Sequence, residues 1–111
     1  MRILGIDPGL ERTGWGVIET EGSRLSFLAA GVILSKASEP MATRLNRIDS
    51  ELSAIVEKWK PESAAIEETF VNKNAASSLK LGQARGVAIV APARAGLHVA
   101  AVDALDGGRP L

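Results

Sequence analysis

The order of apolar runs in this 111-residue chain predicts an α/β fold, a mixed five-stranded sheet built from three antiparallel strands and then helix, strand, helix and strand. Three observations carry that expectation. Residues 2–34 hold three strand-like runs separated by turn signals, and residues 40–60 switch to a helical period. A short apolar run, a second helical run and a last apolar run follow.

The first strand, Arg2–Asp7, contains the β-formers Ile3 and Ile6 and stops at the turn pair Pro8-Gly9. Residues 13–20 (TGWGVIET) make the second strand, ending near Glu21-Gly22, and residues 24–34 (RLSFLAAGVIL) the third. In the helix expected over 40–60, Met41, Leu45, Ile48, Leu52, Ile55, Val56 and Trp59 recur at three- and four-residue steps. Arg44, Arg47, Glu51 and Lys58 lie between them, and Pro61 stops the helix. The fourth strand, residues 63–68 (SAAIEE), again ends in acid. Asn74 is placed as the N-cap of a second helix over 74–91, where Pro92 is expected to end or bend it. LHVAAV, residues 97–102, is the last strand.

Length and composition fit a single domain over residues 1–111. Without cysteine the chain holds neither a disulfide nor a thiolate zinc site. It has no signal peptide and no apolar run long enough to span a membrane, so a soluble, cytoplasmic protein without membrane contact is expected. The formal net charge is zero, which excludes a global basic field; any nucleic-acid contact must be local.

The stretch ILGIDPG ends an apolar strand in an aspartate, a placement that costs solvation energy unless a cation sits against it. If the first and fourth strands pair in parallel, Ile3, Gly5 and Asp7 share one face of the first, and Ala65 and Glu67 one face of the fourth. Two carboxylates beside small residues suit magnesium, which takes one or two carboxylates and fills its remaining positions with water and phosphate oxygens. Spacing alone leaves the alternative open that Asp-Pro-Gly is only a turn.

The stretches ILGIDPGLERTGWGVI and AIEETFVNKNAASSLKLGQARGVAIV resemble the RuvC-type Holliday junction resolvases, endonucleases of the ribonuclease H-like superfamily. The likeness runs from Ile3 to roughly Ala100. It implies a ribonuclease H-like fold and a four-carboxylate, magnesium-dependent centre, manganese being the alternative ion, that cuts four-way junction DNA in recombination and repair. It also implies a homodimer working beside a branch-migration helicase. Carried over by position, Asp7 and Glu67 become catalytic, metal-binding carboxylates. Phe70 becomes a DNA-stacking aromatic, with Lys73 and Asn74 as DNA contacts at a helix start. Glu68 is read as a solvated or helix-facing charge. Arg85 is left between a backbone contact and a solvent-facing or interface role, and His98 receives no catalytic part.

Gly82 and Gly86, four apart on the second helix, each cost about 1 kcal/mol relative to alanine. The resemblance places this helix at a dimer interface; close packing within one chain is the competing explanation. Family members continue past the last strand with a basic segment and a final helix bearing an Asp-x-x-Asp pair. Here residues 101–111 read as a divergent tail, as in a truncated or frameshifted chain. Asp103 and Asp106 have the pair's spacing but not its helix, and weak DNA binding follows from the absent basic segment. Two other functions stay open: a non-catalytic fragment that dimerises or binds DNA, and an actin-like nucleotide binder whose phosphate loop would be GIDPG.

Overall fold

A computed structural model describes residues 1–68, 74–103 and 107–110; of Asp103 and residues 107–110 only the backbone is described. The elements are β1 (Arg2–Asp7), β2 (Arg12–Glu21), β3 (Arg24–Leu34), α1 (Met41–Trp59), β4 (Ser63–Glu67), α2 (Ala75–Arg94), β5 (His98–Asp103) and β6 (Gly107–Pro110). They form one mixed sheet in the order β3-β2-β1-β4-β5-β6. β1 pairs antiparallel with β2 and parallel with β4, and β4 pairs parallel with β5.

All five expected strands are present, and the short β6 extends the sheet antiparallel to β5. No strand pattern marks GGRP in the sequence, because its pairing comes from the unsatisfied edge of β5 rather than from side-chain alternation. Pro92 neither ends α2 nor stops it near Ala91; the helix runs on to Arg94. Proline removes one ladder bond, and this close to the C-terminus the loss is confined to the last turn, while Pro92 itself is buried.

Both helices cover the same face of the sheet. Leu4, Ile6, Val17, Ile33, Ala64, Ile66 and Val99 from the strands meet Ile48, Leu52 and Val56 of α1 and Ala84, Ala88 and Ala91 of α2. The alanines let α2 lie close to the strands and to α1. At its C-terminus α1 is closed by Lys60, left-handed at φ 49°, whose N–H reaches the Val56 carbonyl before Pro61. On the sheet's other face alternate residues stay partly or fully accessible, and the edge strand β3 exposes Leu25, Phe27, Val32 and Leu34.

Candidate active site

Strand alternation builds the site. Ile6 and Ile66 are paired neighbours on β1 and β4, and both point into the core at 3% and 0% exposure. The next residue of each strand, Asp7 and Glu67, therefore turns to the opposite face, and both are exposed. The parallel register brings these two carboxylates to the same end of adjacent strands, where Asp7 stands opposite Gly14 of β2 and Glu67 opposite Val102 of β5. The expected parallel pairing of the first and fourth strands, and with it the placement of these two acids, is present.

Between and beside them lies an open groove of about 510 Å³ bordered by Gly5, Gly14, Gly16 and Ala65 as well as the two acids. The glycines are not there for backbone reasons. A Cβ on Gly5 would meet nothing nearer than 3.9 Å, one on Gly14 only the Asp7 Cβ at 3.8 Å, and one on Gly16 nothing nearer than 3.7 Å. Glycine in a strand is unfavourable and leaves nothing to pack, so it marks a place where a ligand or another backbone comes close. The glycines in TGWGVIE were a readable signal: Gly14 and Gly16, two apart, must share a face.

The loop after Asp7 is held from three sides. A Cβ on Gly9 would fall 2.2 Å from the Arg12 carbonyl oxygen, so only glycine fits. The wholly buried Thr13 donates its hydroxyl to the Gly9 carbonyl at 2.7 Å. Ser35 donates its hydroxyl to the Leu10 carbonyl and its N–H to the Glu11 carbonyl at 3.0 Å, and its Oγ accepts from Arg44 Nε at 2.9 Å. Sequence reasoning missed Thr13, Ser35 and Arg44, since nothing in one chain's pattern separates a buttressing hydroxyl from a surface one.

Of the two readings of Glu68, solvated or helix-facing, the structure has the second, with Oε1 3.8 Å from Arg85 Nη2. Arg85 thus sits on the helix side of the sheet, away from the groove. Asn74 caps α2, its Oδ1 accepting from the N–H groups of Ala76 at 2.9 Å and Ser77 at 3.4 Å. His98 opens β5 at the end of the sheet remote from Glu67. Phe70, Lys73 and Asp106 lie outside the described residues, and of Asp103 only the backbone is described, at the end of β5.

Away from the groove, Glu39 bonds the Arg47 guanidinium, with Nη1 2.8 Å from Oε1. The guanidinium hydrogen bond and the Lys36 N–H hold the Glu39 carboxyl down at about 2, and the same contact raises Arg47. Among the described residues no group of three or more acids or histidines gathers around one point. Among the described residues the groove therefore offers two carboxylates, within the one or two that magnesium takes from protein when phosphates and water fill its other positions.

The model of the family described as "Crossover junction endodeoxyribonuclease RuvC" matches residues 3–106, a few residues further than the likeness read from the motifs. A curated relative of that name from Xanthobacter autotrophicus is 57% identical over 105 residues, covering 95% of this chain and 62% of its own. One from Rhizobium etli is 54% identical over 99 residues, covering 89% and 59%. The chain thus spans about 60% of the length of these relatives. Among solved structures, a Thermus thermophilus RuvC in complex with Holliday junction substrate superposes with a TM-score of 0.85 at 32% identity, covering 91% of this chain and 62% of that one.

Proposed function

We propose a function from one premise: the chain belongs to the RuvC family of crossover junction endodeoxyribonucleases. Its best-supported reading is metal-dependent hydrolysis of a phosphodiester in four-way junction DNA, during recombination and repair. The observation that carries it is the pair Asp7 and Glu67 at one end of adjacent strands, above glycines that a Cβ would not crowd. Asp7 and Glu67 would hold magnesium, or manganese in its place; such an ion, when bound, polarises the phosphate and lowers the pKa of a bound water.

The chain's own residues do the rest. Gly5, Gly14 and Gly16 keep the groove floor low, so that a sugar-phosphate backbone can approach the carboxylates. The Thr13 and Ser35 contacts hold the loop after Asp7 in one arrangement, which limits the reorganisation needed for binding. Phe70 as a stacking group, and Lys73 and Asn74, which precede α2 in sequence, as strand contacts, belong to the same reading. Stacking on one aromatic is worth about 1–3 kcal/mol per base.

A homodimer fits the second helix. Leu79, Gly82, Gly86 and Val90 form a stripe along α2, with Leu79 and Val90 at 66% and 51% exposure. A Cβ on Gly82 or Gly86 would meet nothing within 4 Å, which removes packing within the chain as the reason for these glycines. Two such chains would present two grooves to a two-fold junction. Work beside a branch-migration helicase and a cytoplasmic location complete the proposal; no helix among the described residues is long and apolar enough to cross a membrane. The nucleotide-binder alternative leaves the NKNAASSLKLGQARG stretch without a role.

The test is incubation of a synthetic four-way junction with the chain and magnesium. Symmetrical cleavage is expected, and its loss in Asp7→Asn and Glu67→Gln. Binding without cutting by the unaltered chain would overturn the endonuclease and leave a junction-binding fragment.

A further inference from the structure

Among the described residues, one buried charge has no ionic partner. Arg44 is 4% exposed, yet among the described residues it forms no ion pair, and its guanidinium makes a single hydrogen bond, from Nε to Ser35 Oγ at 2.9 Å. A buried guanidinium is costly unless an anion faces it. Arg44 borders a cavity of about 240 Å³, below the roughly 300–1,000 Å³ of sites that take drug-sized ligands, and so of a size for a small anion.

The surroundings of that cavity are positive. Ser77 and Lys80, three apart on one face of α2, line it from the first turns of that 20-residue helix. Arg44 lines it from the first turn of the 19-residue α1, and Ala37 from the turn between β3 and α1. Neither helix has an acid in its first turn, and α1 has no side-chain cap, so two helix N-termini add their partial positive charge. The one carboxylate on the wall, Glu11, is exposed and pairs with neither Arg44 nor Lys80.

We propose that this cavity is a binding site for a single phosphate group, held by the Arg44 guanidinium, the Lys80 ammonium and the Ser77 hydroxyl. Leu10 and Glu11 of the loop after Asp7 form part of its wall, which sets it at the Asp7 end of the sheet. The phosphate is either a phosphodiester of a strand that runs past the Asp7 end of the sheet or free inorganic phosphate. The first source rests on the function proposed above; the site itself does not.

Titration of the chain with inorganic phosphate, against chloride at equal ionic strength, tests the site by amide shifts in nuclear magnetic resonance. Saturable shifts concentrated at Ala37, Ser77 and Lys80 are expected. Lys80 is exposed, so Lys80→Ala keeps the fold, and it should weaken the apparent Kd by about tenfold or more. Shifts that never saturate, or an unchanged Kd in Lys80→Ala, overturn the proposal and leave Arg44 as a strut for Ser35 alone. A second arm measures junction DNA binding in chloride. Weaker binding by Lys80→Ala, with competition by phosphate, assigns the site to DNA. Unchanged binding alongside a saturable phosphate response assigns it to the free ion. If the unaltered chain binds no junction at all, the functional reading fails while the phosphate titration still decides the cavity.

Discussion

Thr13 Oγ1 donates to the Gly9 carbonyl at 2.7 Å and accepts the Gly9 N–H at 3.4 Å, closing the loop that leads away from Asp7. Thr13 is wholly buried, so Thr13→Val keeps the shape and strands two backbone groups. The expected cost is about 1–3 kcal/mol, read from the urea midpoint. Thr13→Ser should lose clearly less; an equal loss would mean that the methyl group, not the hydroxyl, holds the loop.

Gly9 and Gly16 should answer alanine in opposite ways. At Gly9 the new Cβ lies 2.2 Å from the Arg12 carbonyl oxygen, and backbone cannot yield cheaply, so Gly9→Ala should destabilise by about 1–3 kcal/mol. At Gly16 the nearest atom is 3.7 Å away, so Gly16→Ala should be neutral or stabilising in thermal unfolding. Gly16→Leu should fold as well, but fill the groove and abolish junction cleavage. Full activity in that variant would remove the groove floor from the mechanism.

Acid stability follows from Glu39. Its carboxyl is held at about 2 by Arg47 and the Lys36 N–H, below the ordinary 4.5. The folded-state value is depressed, so this contact contributes fully above pH 4.5 and is lost as pH falls from there through about 2. Urea midpoints across that window should fall more steeply in the unaltered chain than in Glu39→Gln. Parallel curves would show that the pair adds nothing.

Gly82→Ala and Gly86→Ala separate helix stability from association. Each should stabilise the monomer by about 1 kcal/mol, because nothing within 4 Å obstructs the methyl group. If a partner helix approaches along this stripe, the same variants should weaken self-association in sedimentation velocity. An unchanged dimer would place the interface elsewhere.

Much of this architecture was legible in the sequence because it rests on local periods. Alternation at Ile3, Ile6 and Asp7, the helical steps from Met41 to Trp59, and Asn74 before an apolar helix each depend on a few consecutive residues. Asp7 and Glu67 were legible too, since strand parity and one parallel pairing suffice to bring them together. Pro92 misled because position within a helix, not residue type, decides what a proline costs. Its lost bond falls in the last turn before Arg94.

By itself the sequence determined the order of the elements from β1 to β5, the faces of the strands and the family. Only the tertiary structure decided the rest. It added β6 to the edge of β5, emptied the space beside Gly82 and Gly86, and set Thr13, Ser35 and Arg44 behind the Asp7 loop. These contacts join residues distant in sequence, and they depend on how two helices seat on a sheet. No period along the chain encodes that seating. The buried guanidinium of Arg44, without an ion pair among the described residues, is the sharpest example: in sequence it is one more charge on the polar side of a helix, and only packing places it at a cavity with Lys80.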